Sequence, residues 1–85
     1  MTAVTDDDRR NSLLTAWHAE IQNKTALLKD PEDFTGRLMV KAKEAHTQGV
    51  IDSDDLRELL ELAYAANEWA VEELLTRELN GGTNL

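Results

Sequence analysis

Residues 30–33 read Asp-Pro-Glu-Asp, and this tetrapeptide separates two helices. The residue before a proline is pushed out of the helical backbone region, so we expect a preceding helix to end at Asp30. The same residues favour a new helix, because Asp30 can cap it, Pro31 suits its first position and the next two carboxylates face the positive end of its dipole. The sequence predicts one helix over residues 6–29 and a second that begins at Pro31.

The first helix carries a start signal and an apolar stripe. Thr5 can cap it, and three aspartates follow at residues 6–8, where carboxylates favour a helix N-terminus. Apolar side chains then recur at intervals of three, four and seven residues, at Leu14, Trp17, Ile21 and Leu28. This periodicity predicts an amphipathic helix that packs one face against the rest of the chain.

A short turn joins the second helix to the third. The second helix is predicted over residues 31–48, because Gly49 can adopt the left-handed conformation that closes a helix. Ile51 then precedes a capping aspartate and can contact Leu56 in the first turn of the next helix. The third helix is predicted over residues 53–79. Because the turn is short, helices two and three should form an antiparallel hairpin, and the predicted fold class is an all-α three-helix bundle.

Length and composition limit the class of protein to which this chain can belong. The chain has 85 residues, no cysteine and 41% hydrophobic residues. These values indicate one folded helical domain over residues 1–85, with flexible tails at residues 1–5 and 80–85. The first ten residues lack the apolar run of a signal peptide, and no stretch approaches the roughly 18 apolar residues of a membrane-spanning helix. We therefore expect a soluble, cytoplasmic protein.

Net charge narrows the choice of partners. The formal net charge is -8 and the isoelectric point is about 4.5, so neither nucleic acid nor an anionic membrane is expected as a direct partner. The charge is uneven, with three bases and one acid in residues 35–51 but nine acids and two bases in residues 52–85. The last segment suits a protein partner with a basic surface, and the middle segment is its electrostatic complement within the chain.

The third helix has more apolar surface than one neighbour can cover. Its core stripe follows Leu56, Leu60, Ala63, Ala70 and Leu74, and it is widened by Tyr64 and Val71 on one flank and by Leu59 on the other. A second stripe runs along Leu59, Leu62, Ala66 and Trp69. A helix that is apolar over more than half its circumference is either central in its own bundle or shared with a second chain. The residues expected to bind a partner are Leu59, Leu62, Ala66, Asn67, Trp69, Glu72 and Glu73. We expect this surface to form a homodimer, with a different, basic protein as the alternative.

Asn67 interrupts the core stripe of the third helix. A buried asparagine at a helix seam costs stability and fixes the register or the oligomeric state. The alternative interpretation is that Asn67 faces a polar neighbour, such as Gln22 or His18, at the edge of a monomeric core. The sequence leaves both interpretations open.

No group of residues has the spacing that catalysis or metal binding requires. His18 and His46 suit packing and capping roles, and each has a glutamate two residues away, which points the two side chains about 160° apart on a helix. Residues 44–55 resemble the calcium loop of an EF-hand, with Gly49 at the turn. Where that loop needs short oxygen ligands, this chain has Glu, His and Gln, so a capped turn is the favoured interpretation. We expect no metal, no cofactor and no enzymatic activity.

These features together favour an interaction protein. We expect a small acidic helical module that binds a protein partner as an adaptor, regulator or inhibitor, in the manner of antitoxins, immunity proteins or phage inhibitors. Two alternatives remain open. One is an inhibitor whose acids imitate the phosphates of nucleic acid, and the other is a helical bundle that binds a small ligand.

Overall fold

The structure, a computed structural model, describes the backbone of residues 6–82 and the side chains of residues 7–78. Within these residues the helices are α1 (Asp6–Ile21), α2 (Lys24–Lys29), α3 (Pro31–Thr47) and α4 (Ser53–Gly82), and no β-strand is present. The prediction of an all-helical fold is confirmed. Of the predicted tails, residues 1–5 and 83–85 lie outside the described residues, whereas residues 80–82 continue α4 past its predicted end.

The first predicted helix is wrong in one respect, because a break at residues 22–23 divides it into α1 and α2. The side chain of Asn23 accepts a hydrogen bond from the amide of Ala26 at 3.2 Å and so starts a new helix. Asparagine is among the best N-cap residues, since its side chain satisfies an amide that has no partner in the first turn. Beyond the break Leu27 is buried, whereas Leu28, which the periodicity placed on the apolar stripe, is only half-buried.

The boundary at residues 30–33 is as predicted. A carboxylate oxygen of Asp30 accepts a hydrogen bond from the amide of Asp33 at 3.2 Å, and Pro31 takes the first helical position of α3. Proline has no amide hydrogen to leave unsatisfied there, and its fixed φ is already helical. Four adjacent residues therefore end α2 and start α3 without help from distant parts of the chain.

Gly49 closes α3 in the way the sequence predicts. Its φ is +76°, a left-handed conformation that costs glycine little. The amide of Gly49 donates to the carbonyl of His46 at 3.0 Å, and the amide of Val50 donates to the carbonyl of Ala45 at 2.9 Å. These two hydrogen bonds define a Schellman motif, so the turn after α3 is a capped helix end.

α3 and α4 form the main packing unit of the fold. α3 is about 25 Å long, and residues 48–52 can span only about 20 Å, so the helices pack side by side only if they run antiparallel. Their buried contacts come from Leu38, Ala42 and Ala45 of α3, from Ile51 in the turn, and from Leu59 and Ala63 of α4. Alanine at three of these positions allows the two helix axes to approach closely.

Trp17 and Arg10 anchor α1 to this hairpin. The buried Trp17 ring joins the hairpin core, and its Nε1–H donates to the backbone carbonyl of Leu38 at 2.9 Å. One end of α1 is held by Arg10, whose guanidinium donates two hydrogen bonds to the carboxylate of Asp55 at 2.6 and 2.7 Å. The two anchors fix the position of α1 along the hairpin.

Asp55 also belongs to the cap of α4. Its amide donates to the Asp52 carboxylate at 2.8 Å, and its carboxylate accepts from the Asp52 amide at 3.2 Å, which is a reciprocal capping box. The hydrogen bonds from Arg10, supported by the Asp52 amide, lower the pKa of Asp55 to about 2 even though burial opposes the charge. The same ion pair raises the pKa of Arg10.

The molecule is elongated, with dimensions of 65 × 24 × 15 Å and a radius of gyration of 16.3 Å. A compact domain of this length would have a radius of gyration of about 12 Å. The long helix α4 contributes most to this shape, because its 30 residues extend about 45 Å and α3 can cover only about 25 Å of that. Large parts of the α4 surface are therefore left to α1, α2 and the solvent.

Candidate functional site

An open groove with a volume of about 420 Å³ lies between α4 and the junction of α1 with α2. Its α4 wall consists of Leu62, Ala65, Ala66 and Trp69, and the facing wall includes His18, Gln22 and Lys24. Residues three and four apart share a helix face, which is why these four α4 side chains line one wall. The facing wall exists because of the break at residues 22–23, which the sequence analysis missed.

Trp69 and Leu62 are the large apolar side chains that this groove exposes. Each is 38% exposed, and the ammonium of Lys24 lies 5.0 Å from the centroid of the Trp69 ring. A cation over an exposed tryptophan face contributes about 0.5–1 kcal/mol. Tryptophan is also the residue type most enriched at the energetic centres of protein interfaces. The groove therefore offers one aromatic face and one aliphatic contact to a binding partner.

The two histidines occupy structural positions. His18 is half-buried at the edge of the groove and meets the Trp17 ring edge-on, with ring centroids 5.8 Å apart and an interplanar angle of 87°. His46 lies in the last turn of α3, where its Nε2 is 3.2 Å from the hydroxyl oxygen of Ser53 in α4. The placement of His18 agrees with the packing role predicted from the sequence. His46 lies in the last turn of α3, but its ring contacts Ser53 of the next helix, so its capping role stays a prediction.

The outer face of α4 is acidic. Among the described side chains, five exposed glutamates of α4 form no ion pair, and these are Glu58, Glu61, Glu68, Glu72 and Glu78. At about 100° per residue, Glu61, Glu68 and Glu72 lie within about 40° of one another and next to Ala65 of the groove wall. The groove is therefore bordered along α4 by uncompensated negative charge.

The predicted charge complementarity between residues 35–51 and residues 52–85 does not take the form of ion pairs in the described part of the chain. Lys41 of α3 pairs with Glu20 of α1 at 2.8 Å, and Arg37 pairs with Asp33 of the same helix at 3.1 Å. The reason is geometric, because α3 and α4 meet through their apolar sides and their charged sides point away from each other.

The residues predicted to bind a partner do not share one surface. Leu59 is 1% exposed, in the core between α3 and α4, so it is not available to a partner and that assignment is corrected. Leu62, Ala66 and Trp69 do lie together on the groove wall. Glu72 is exposed beside them, and the half-buried Glu73 approaches Arg77 at 3.9 Å.

Asn67 lies on the inner side of α4 and is half-buried. Its side-chain oxygen is buried and forms no hydrogen bond with any described group, so neither Gln22 nor His18 is its partner. A buried acceptor without a donor typically costs about 1–3 kcal/mol. Asn67 is therefore a source of instability within the chain.

A second exposed apolar strip runs along the other flank of α4. It consists of Tyr64, Val71 and Leu75, all of which are exposed. The sequence analysis placed Tyr64 and Val71 at the margin of the core stripe, which the structure corrects. The strip lies about 120–180° around the helix from the groove residues Leu62 and Trp69, so α1 and α2 do not cover it.

The part of the chain that the structure describes contains no cluster of three or more potential metal ligands. None of its helices combines the length and apolar character needed to cross a membrane. Comparisons of the chain with protein-family models, with curated proteins and with solved structures found no match.

Proposed function

We propose that this protein is a small helical interaction module that binds a basic segment of another protein in the groove between α4 and the α1–α2 junction. The observation that carries the proposal is the position of the half-exposed Trp69 and Leu62 beside glutamates that form no ion pair with any described side chain. Binding would cover the apolar side chains and bring cations next to the carboxylates. The protein would then act as an adaptor, regulator or inhibitor of its partner.

The contact between Lys24 and Trp69 supports a basic partner. The lysine ammonium already occupies the ring face at 5.0 Å, so the site accommodates a cation in the free protein. Arginine stacks on aromatic faces better than lysine, because its guanidinium is planar and more weakly hydrated. An arginine from the partner can replace Lys24 on the ring while its neighbours approach Glu68 and Glu72.

The size of the groove indicates a short helical segment. Its α4 wall extends from Leu62 to Trp69, which is about 10 Å or two helical turns. An amphipathic helix laid along such a wall places apolar side chains at positions i and i+4 in the groove and basic side chains along the acidic edge. The partner we propose is therefore a helix of two to three turns with one apolar face and one basic face.

Charge density disfavours the alternative of nucleic-acid mimicry. The five unpaired glutamates between Glu58 and Glu78 are spread over about 30 Å of helix, or about one charge every 6 Å. Duplex DNA carries one charge every 1.7 Å or so. A protein surface that replaced DNA would need a denser array of acids, so we place the apolar groove at the centre of binding.

Site-specific photo-crosslinking in an extract of the source cell tests this proposal. A photoreactive amino acid at position 65, in the groove wall, is compared with the same amino acid at position 40, on the exposed outer side of α3. We expect a protein with a basic helical segment to be captured from position 65 only. An excess of unlabelled wild-type chain should compete with this capture, and raising the salt concentration should weaken it.

Competition with variants provides the decisive control. The Trp69→Ala chain should compete at least about tenfold less well than wild type, because aromatic residues at interface centres are costly to remove. The Val40→Ala chain should compete as wild type does. If positions 65 and 40 capture the same proteins, or if Trp69→Ala competes normally, the groove is not the binding site.

A further inference from the structure

The flank of α4 opposite the groove forms a continuous apolar strip. Tyr64, Val71 and Leu75 are 62%, 42% and 51% exposed. Val71 and Leu75 follow Tyr64 by seven and eleven residues, so both lie within about 20° of Tyr64 around the helix axis. The strip shares no side chain with the groove lining, so association through it does not rest on the proposed function, although Glu61 and Glu68 border both surfaces.

The residues on this flank are arranged symmetrically about a point between Asn67 and Glu68. Tyr64 and Val71 lie at equal distances on either side of it, about 5 Å along the axis, and the outer positions Arg57 and Glu78 lie about 16 Å away. Leu60 and Leu75 are also equidistant from this point. Such a pattern is what an isologous two-fold interface needs, because each residue must meet its counterpart in the other copy.

We propose that two copies of this chain associate through antiparallel α4 helices, with the two-fold axis between Asn67 and Glu68. In this arrangement Tyr64 of each copy packs against Val71 of the other, and Leu60 packs against Leu75. The strip that α1 and α2 leave uncovered is then removed from water on both molecules.

Charge complementarity selects the antiparallel orientation. Arg57 of one copy lies level with Glu78 of the other, and the two-fold axis produces this pair twice. Both side chains are available, since Glu78 is exposed without an ion pair among the described side chains and the Arg57–Asp54 pair, at 3.1 Å, is largely exposed to solvent. A parallel dimer would instead place Arg57 beside Arg57 and Glu78 beside Glu78.

The available area predicts a weak dimer. Residues 57–78 of α4 extend about 33 Å, and a helix contact is about 10 Å wide, which gives roughly 330 Å² per copy. The total of about 660 Å² lies below the roughly 1,200 Å² of standard stable interfaces. We therefore expect a dissociation constant in the range of about 10–100 μM.

Like charges limit the association at low salt. Glu68 lies next to the two-fold axis and Glu61 at the edge of the strip, so each copy brings uncompensated carboxylates to the interface. Salt screens their repulsion. The dimer should therefore tighten when the salt concentration rises, whereas binding of a basic partner in the groove should weaken.

Sedimentation equilibrium up to about 500 μM, at low and high salt, tests for the dimer. Val71→Glu should weaken association at least about 30-fold, because the strip would have to bury a carboxylate. Val40→Glu is the matched control, since it places the same charge on an exposed valine of α3, and it should dissociate as wild type does. Circular dichroism checks that both variants remain folded.

A charge swap tests the orientation. Arg57→Glu and Glu78→Arg should each weaken the dimer several-fold, because each variant places like charges together twice. The double variant should restore the wild-type dissociation constant, since it recreates both pairs with the charges exchanged. A wild-type chain that stays monomeric at 500 μM and high salt overturns the dimer. A double variant as weak as the single variants overturns the antiparallel register.

Discussion

The capped ion pair of Asp55 should be a major stabilising element of the fold. Its side chain is 8% exposed, accepts two hydrogen bonds from Arg10 and one from the Asp52 amide, and lies at the positive end of α4. In Asp55→Ala, the lost capping bond and the lost charge at the helix N-terminus together cost about 1–2 kcal/mol. The ion pair with Arg10 makes a smaller contribution to the free energy of unfolding, because water screens the half-exposed guanidinium.

We expect Asp55→Ala to lower the free energy of unfolding by about 2 kcal/mol, which corresponds to a decrease in Tm of roughly 8–16 °C for a domain of this size. Urea denaturation followed by circular dichroism measures the first quantity, and thermal denaturation measures the second. Arg57→Ala provides the control, because it removes an exposed pair with Asp54. That control should change the free energy of unfolding by about 0.5 kcal/mol or less.

The low pKa of Asp55 makes its contribution depend on pH. The folded-state value of about 2 lies below the ordinary value of 3.8, so the folded protein holds the carboxylate ionised more strongly than the unfolded chain does. Its contribution is complete above about pH 4 and is lost as the pH falls toward 2. The difference in stability between wild type and Asp55→Asn should therefore shrink over that range. A difference that stays constant between pH 5 and pH 2 would show that the charge is not responsible.

A double-mutant cycle tests the ion pair itself. Arg10→Ala should also destabilise the protein, and the Arg10→Ala/Asp55→Ala chain should lose less than the sum of the two single losses, because both variants remove the same interaction. If the losses simply add, Arg10 and Asp55 do not stabilise each other. The anchoring of α1 would then depend on Trp17 and its apolar neighbours and on the exposed Glu20–Lys41 pair.

Four further substitutions should change the free energy of unfolding, two lowering it and two raising it. Gly49→Ala should lower the free energy of unfolding by about 1 kcal/mol, because alanine disfavours the φ of +76°. Gly36→Ala within α3 should raise the free energy of unfolding by about 0.5–1 kcal/mol. An added Cβ meets nothing within 4 Å at either position, so urea denaturation of the two variants measures the backbone effect alone. Asn67→Leu should raise the free energy of unfolding by about 1 kcal/mol, because it removes a buried acceptor that has no donor. A decrease in the free energy of unfolding would show that the Asn67 oxygen does have a donor. Trp17→Phe should lower the free energy of unfolding by about 1–2 kcal/mol, since phenylalanine has a smaller ring and no donor for the Leu38 carbonyl. An unchanged free energy of unfolding in urea would show that Trp17 does not anchor α1.

Local signals in the sequence were enough to place most helix ends. The cap at Asp30, the proline after it and the left-handed Gly49 each act through neighbours no more than five residues away. Such interactions form in the same way wherever the segment lies in the fold. The cap at Asn23 is equally local, but the apolar periodicity of residues 6–29 predicted one continuous helix with no break at that residue.

Contacts between distant residues were not visible in the sequence. Arg10 and Asp55 are 45 positions apart, and nothing in either local pattern selects the other residue as a partner. The same holds for Trp17, whose periodicity indicated burial but could not identify the Leu38 carbonyl as its hydrogen-bond acceptor. Side chains of this kind find their partners only when the helices pack.

The sequence by itself determined that α4 is apolar on more than one side and acidic on another. Only the tertiary structure decided that Leu59 belongs to the core, that Trp69 faces a groove and that Tyr64 and Val71 are uncovered. Helical periodicity specifies which residues share a face, since that depends only on the 100° or so between successive residues. Which neighbour covers each face depends on how α1, α2 and α3 pack against α4, and that arrangement results from the balance of all their contacts.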